Sequence, residues 1–307
     1  MAARYYKRNA QVIVSENLSE VPSNIRATSA QGILIPKDFA GDQLKINFTL
    51  TKNQSSELPS DNSISIWNLK GDTQSFIKNR NLYVQLLAGY DGEVSNIYVG
   101  QIDKVQISKK GVDTITKMYV TNLPNLVNNA YFNKTYAGLI STRQIVTDAI
   151  GLTGLVSQYS NLIPASAQQF NFSFSGTVSD LFKLLLPPLG INYFIDGDKI
   201  KFSLTGQPNE EQAFTIDSSV GLVNIPVKTE KGVNITTLLN TGIVLSDYVL
   251  VDLETTTLTT TGRTTNILNQ ELNGLYKVIS IVYEGDTIEG EFVTKLECVS
   301  ISETGSE

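Results

Sequence analysis

Histidine is missing from this 307-residue chain altogether. Its absence removes Ser-His-Asp and Cys-His arrangements, every His-ligated metal centre and the commonest general base near neutral pH. Cysteine occurs once, at Cys298, so neither an intrachain disulfide nor a cysteine-rich zinc cluster is available. In the strand-like run Leu296-Glu297-Cys298-Val299 that thiol reads as a small core side chain rather than a nucleophile. Charge is scarce too: Asp, Glu, Lys and Arg make up 18% of residues, against roughly 25% in typical soluble domains. The 24 basic and 30 acidic residues leave a net charge of −6, which argues against a protein that holds nucleic acid by neutralising phosphates. The polar surface must come largely from Asn, Thr, Ser and Gln, and such a surface is covered by a partner at low desolvation cost.

Long apolar runs are lacking as well. No stretch approaches the roughly 20 apolar residues of a membrane span, and Met1 to Arg8 lacks the apolar segment of a signal peptide. The expectation is a chain made in the cytoplasm, with no membrane span, in which the triplets Asn47-Phe48-Thr49 and Asn234-Ile235-Thr236 carry no glycosylation meaning. No Gly-x-x-x-x-Gly-Lys-Ser/Thr run, no strand-associated Gly-x-Gly-x-x-Gly and no Gly-x-Ser-x-Gly is present.

What is present is period-two alternation. Leu44 to Leu50 and Ile64 to Leu69 alternate apolar and polar residues on either side of the turn cluster Pro59-Ser60-Asp61-Asn62. Leu82 to Tyr90, followed by Asp91-Gly92, predicts a hairpin with Ile97 to Ile107. Lys109-Lys110-Gly111-Val112-Asp113 then turns the chain into Thr114 to Val120. The pattern predicts a meander of antiparallel strands, closed or half-closed into a barrel.

Near residue 131 the period lengthens to about 3.6. Ser141-Thr142-Arg143-Gln144 resembles a capping box opening a helix that Gly151 ends, and Thr177 with Asp180 opens a second that Pro187-Pro188 stops. A hairpin across Asp196-Gly197 joins Tyr193-Phe194-Ile195 to Lys199 to Phe202. Strand alternation returns from Phe214, broken by the Thr-rich tract Thr255 to Thr265, which reads as an exposed loop. The chain thus divides into a β domain over 1–130, a small α+β module over 131–207 and a second β domain over 208–307. The final hairpin also overlays the earlier one at a shift of 178 residues, with Tyr98 on Tyr276, Thr116 on Thr294, Lys117 on Lys295 and turns of matched length.

Few residues invite a chemical reading. Asp196-Gly197-Asp198 looks like a metal motif, but no ligands continue to a distal Glu at calcium-loop spacing, so a hairpin turn is the better reading. Glu284, Asp286, Glu289 and Glu291 bunch at the final hairpin as candidates for an acid/base pair or a cation site, with plain solvation as the alternative. Tyr5, Tyr6, Tyr131, Phe132 and Tyr136 are candidate interface anchors, with core or strand-pairing roles as the alternative. No catalytic, cofactor-binding or metal-ligating residue is assigned, no cofactor is expected, and an enzymatic role is not expected.

Several runs taken in order resemble the baseplate hub proteins of bacteriophages. They are Ile64 to Leu69, Thr73 and Ile77, Val84 to Gly92 and Ile97 to Ile102. Further along come Phe174 to Thr177, Gly190 to Tyr193, Asp196 to Ile200, Gly221 to Pro226, Glu230 to Val233 and Leu238 to Asn240. The resemblance spans roughly residues 40 to 302. It implies a mainly β fold, with two tail-tube-like antiparallel barrels flanking the α+β module. It also implies a homotrimeric ring of pseudo-sixfold symmetry that adapts a six-fold tail tube to a three-fold spike. Tail tube or tail-end proteins, the spike and other baseplate proteins would be its partners, and DNA would meet it only by passing through the lumen. Such a chain would be made in the bacterial host and reside in the virion. A receptor-binding or other non-enzymatic virion protein is the alternative.

Overall fold

Alternating apolar side chains keep most of this chain extended. In the computed structural model, residues 7–16, 33–35, 44–53, 62–78, 82–91, 93–121, 124–197, 199–204, 213–217, 221–253, 256–260, 263–267 and 272–301 are described. Tyr5, Tyr6, Pro59 to Asp61, Gly92 and Asp198 lie outside them. The first strands are β1 Arg8–Ser15, β2 Ile33–Ile35, β3 Ile46–Asn53 and β4 Ser63–Trp67. Helix α1 Gly71–Lys78 follows, then β5 Tyr83–Tyr90, β6 Glu93–Lys110 and β7 Asp113–Thr121. The middle segment contains α2 Pro124–Asn129, β8 Tyr131–Thr135, β9 Leu139–Ser141, α3 Thr142–Ile150 and β10 Val156–Gln158. It continues with β11 Gln168–Phe170, β12 Ser173–Thr177, α4 Val178–Leu185, β13 Ile191–Asp196 and β14 Lys199–Leu204. The last part comprises β15 Phe214–Ile216, β16 Val227–Lys228, β17 Gly232–Leu238, β18 Tyr248–Val251, β19 Thr256–Thr260, β20 Arg263–Ile267, β21 Gly274–Asp286 and β22 Phe292–Ser300.

The fold is mainly β. Thirteen strands make one sheet whose main path runs β16-β17-β22-β21-β3-β4-β7-β6-β5-β1-β2, with β18 beside β21 and β15 beside β18. Among the described residues no pairing closes that path into a ring. Alternation sets the buried face: Ile46, Phe48 and Leu50 of β3 and Ile64 and Ile66 of β4 are fully buried, in one cluster with Val233, Ile235, Ile281 and Leu296 of the last part. The strand β1 was missed in the sequence, although Ala10, Val12 and Val14 alternate and are buried along β5.

Strand order repeats. In chain order β3, β4, β5, β6 and β7 lie in the sheet as β3-β4-β7-β6-β5, while β16, β17, β18, β21 and β22 lie as β16-β17-β22-β21-β18. The bulges repeat too, at Ile102/Lys104 in the first hairpin and Val278/Ser280 in the second. Return strands β7 and β22 keep the expected shift, Thr116 falling on Thr294. Leading strands are shifted by two residues less: Ile107 stands opposite Thr116 and Tyr283 opposite Thr294. Tyr98 therefore corresponds to Gly274 rather than Tyr276. The turns are also unequal, because Asp286 Oδ1 accepts from the backbone N–H of Ile288 and of Glu289, an arrangement that needs a longer loop than Gly111-Val112.

The middle segment pairs only within itself, in one three-stranded and two two-stranded sheets. Its helices start where the caps were read: Ser141 Oγ accepts from Gln144 N at 3.2 Å and Thr177 Oγ1 from Asp180 N at 3.1 Å. Within the first helix the Gln144 side-chain amide donates to Asp148 Oδ1, one turn on, at 2.7 Å. A second core gathers Phe132, Ile145, Val146, Leu181, Phe182 and Phe202. Val99 of β6 belongs to this core while Phe194 of β13 belongs to the large one, so the module and the sheet interlock.

The Thr-rich tract is corrected by the structure. Its described residues form the hairpin β19–β20, Thr256 pairing with Ile267 and Thr260 with Arg263. Threonine is β-branched, and an extended pleated backbone suits it better than an open loop.

Lys277 is a costly core residue: it is 4% exposed, and its ammonium donates to Leu204 O at 3.1 Å. Burial pushes its pKa down to about 8. A depressed lysine penalises folding wherever it must stay protonated, and the penalty lifts as pH rises from about 8 towards its ordinary value. Lys277→Met is expected to stabilise the protein at pH 7 by about 1 to 2 kcal/mol, with the gain shrinking above pH 8, as read by urea denaturation across pH.

Candidate functional site

The residues weighed for chemistry fall at the two joints of the fold. At the final hairpin the four carboxylates divide between two lysines. Lys45, just before β3, meets Glu289 at 2.6 Å and Asp286 at 3.4 Å; Lys295 on β22 meets Glu284 at 2.6 Å and Glu291 at 2.9 Å. Hydrogen bonding to Glu289, aided by Asp286, raises the Lys45 pKa, and Glu284 and Glu291 do the same for Lys295. The cluster is therefore a set of ion pairs, and its four carboxylates line an open pocket of about 340 Å³ together with Asn47. Among the described residues no three His, Cys, Asp or Glu side chains converge to hold a metal ion.

The same hairpin is clasped from the first part of the chain. Arg8 Nη1 donates to Gly290 O at 2.8 Å and Asp286 O at 3.2 Å, and its guanidinium sits 5.7 Å from the Phe292 ring centroid. Tyr90 packs edge-on against Phe292 at 5.3 Å, donates its hydroxyl proton to Phe292 O at 3.0 Å and accepts from Leu239 N at 3.1 Å. An open groove of about 960 Å³ runs along this joint, lined among others by Lys7, Arg8, Tyr90, Val223, Leu238 and Ile288.

The second joint is the tip of the β13–β14 hairpin. Asp196 pairs with Lys199 across a turn in which Gly197 takes φ +63°, as the turn reading requires. Both Asp196 oxygens are engaged: Oδ1 meets Lys52 of β3 at 2.6 Å and Oδ2 meets Lys201 at 2.7 Å. Two ammonium groups at those distances fill the position a cation would need. Burial opposes the charged form of Asp196, but Lys52 and Lys201 outweigh it and hold the carboxyl well below the usual range. For Lys52, burial pulls the pKa down and the attraction of Asp196 more than restores it, so the net direction is upward.

The aromatic candidates separate. Tyr131 is 62% exposed, its hydroxyl 2.9 Å from Ser175 Oγ, whereas Phe132 is a core residue. Tyr136 is part-buried and donates to Asp148 Oδ2 at 2.6 Å. Its pKa is raised by burial first and by Asp148 second. Sequence reading missed Leu139 and Phe170, which pair across β9 and β11 and are 70% and 71% exposed; short strands with no clear alternation left no signal for them. It also missed Arg8, Lys45 and Lys52, because their partners lie more than 140 residues away.

The chain matches the family described as baseplate hub gp41 over residues 46–298. Its fold is similar to that of the prophage MuSo2 43 kDa tail protein from Shewanella oneidensis, with a TM-score of 0.55 and 7% identity over 96% of this chain and 98% of that one. It is similar also to the tail protein from Neisseria meningitidis MC58, with a TM-score of 0.53 and 8% identity over 95% of this chain and 97% of that one. No curated protein matches it in sequence.

Removing the Asp196 charge leaves two lysines facing each other without their counter-ion. Asp196→Asn is expected to cost about 3 kcal/mol at pH 7. A depressed carboxylate stabilises the fold above its ordinary pKa of 3.8, and that contribution is lost as pH falls below it. The gap between wild type and variant should therefore narrow in acid, which chemical denaturation at pH 7 and pH 3 will read.

Proposed function

We propose that this chain, which belongs to the baseplate hub gp41 family, is a structural subunit of a phage tail end, where three copies form a ring of pseudo-sixfold symmetry. In this reading residues 1–130 and 208–307 are two tube-like barrel domains, and the module of residues 131–207 lies outside the tube wall. The ring adapts a six-fold tail tube on one side to a three-fold spike on the other. The observation that carries the reading is the repeated strand order, with β3-β4-β7-β6-β5 and β16-β17-β22-β21-β18 matching down to the bulges. Six similar positions from three chains require two similar units per chain, and matched topology with diverged sequence meets that requirement.

The two copies differ at one place that bears on the geometry. β1 runs antiparallel to β5, whereas β15 runs parallel to β18, so the strands beyond β5 and β18 are not part of the repeat. The net charge of −6 suits a wall past which DNA slides without being held. The ion-paired carboxylates of the final hairpin serve as joints in this reading rather than as acids or bases, and the protein acts in the virion without enzymatic activity.

Native mass spectrometry of the purified chain at rising concentration is expected to show a species of three times the monomer mass. A second oligomeric number would count against the symmetry-adapting role. A suspension of bacterial cell wall is expected to keep its turbidity when the protein is added; clearing that disappears in Glu291→Gln would replace the structural reading with an enzymatic one.

A further inference from the structure

The internal repeat marks a place where a strand is missing. In the second unit, one side of β21 is covered twice, by β18 along residues 274–277 and by β3 along residues 280–286. In the first unit β5 covers residues 93–101 of β6. Beyond the bulge at Ile102/Lys104, no described strand pairs with that side of residues 104–110. The consequence is visible at one position: Tyr283, under β3, is 2% exposed, while its counterpart Ile107 is 40% exposed.

The repeat also names the strand that fits there. The counterpart of β3 is the segment 222–228, which lies along β17 as β3 lies along β4 but with two more residues between its pairings. Leu222 is bridged to Thr237, and Val227 and Lys228 pair with Asn234 and Val233. Its other side meets no described strand, and Val223, Ile225 and Val227 alternate along it at 44%, 61% and 63% exposure. An apolar edge of this kind is a template for pairing unless something covers it. Pro226 interrupts the backbone ladder, so side chains must carry much of any contact made there.

We infer that residues 104–110 of one copy take up the 222–228 segment of the next copy in antiparallel register, repeating between chains the β3–β21 junction found within one. Carrying the Thr49–Glu284 pairing across places Val227 opposite Ser108. Each copy owns both edges, so the contact is head-to-tail, the kind that closes into a ring when the rotation between copies matches. The inference rests on the ring proposed above and names the surface that builds it.

The test uses the full chain with Ser108→Cys and Val227→Cys; the native Cys298 is buried and stays silent. Mild oxidation is expected to give a covalent ladder on a non-reducing gel that ends at the trimer, while each single-cysteine variant runs as a monomer. Ile107→Asp, on a side chain that is exposed in the monomer, is expected to weaken assembly about tenfold or more with an unchanged circular dichroism spectrum. A wild-type trimer by mass, combined with no ladder and an assembly-competent Ile107→Asp, would place the contact elsewhere and overturn this inference while leaving the hub reading standing. A disulfide formed within one chain would overturn it as well. A strict monomer at every concentration would bring down both.

Discussion

Strand β3 is the one length of backbone that both units share, and the architecture hangs on its two-sided pairing. Along residues 46–49 it bonds to β4 and along residues 47–53 to β21, so one strand of roughly 25 Å holds two six-stranded groups in a single sheet. Its side chains finish the job. Phe48 is fully buried and meets Phe292 edge-on at 5.8 Å, and position 285 has to be glycine because a Cβ there would run into both rings. The clasp made by Arg8, Lys45 and Tyr90 is in reach of the final hairpin only because this pairing fixes where the hairpin lies.

Charge is rare in the chain and concentrated where parts meet, and magnitude separates the joints. Lys295 and its glutamates are 40%, 37% and 59% exposed, so water screens them and each such pair contributes at most about 1 kcal/mol. Lys52, Asp196 and Lys201 are 13%, 17% and 13% exposed, and there a missing partner leaves a charge that solvent cannot compensate. The second set thus decides whether the α+β module stays docked on β3, and the first mainly orients the hairpin. Burial acts without a counter-charge at Cys298, where it pushes the thiol pKa up to about 12 and leaves the group a core side chain.

How much of this was legible in the sequence follows from the range of each interaction. Caps, turns and alternation act over a few residues, and Ser141, Thr177, Asp196-Gly197 and the strands ending at Tyr90 and Ser300 were all readable from their neighbours. The strand β1 carried its signal openly in Ala10, Val12 and Val14 and was overlooked. Helix α1 offered two adjacent apolar residues, Phe76 and Ile77, too little for a period. The ion pairs linking Lys45 to Glu289 and Lys52 to Asp196 could not be read, because nothing local says which distant strands become neighbours. The repeat was visible in the return strands, but a turn longer by two residues hid the correct alignment of the leading ones.

The position of β3 also sets a timetable. Residues 47–53 leave the ribosome more than 200 residues ahead of their partners at 280–286. At the usual rates of synthesis that interval is on the order of tens of seconds. During it one edge of the first unit is unfinished, and Phe48 lacks the ring that will cover it. The helices and short hairpins of residues 131–204 rely on near neighbours and have time to form in between, since local contacts close fast and distant ones slowly. The sheet is therefore completed by its last hairpin, and a chain cut short before Asp286 would lose the seam as well as its own terminal strands.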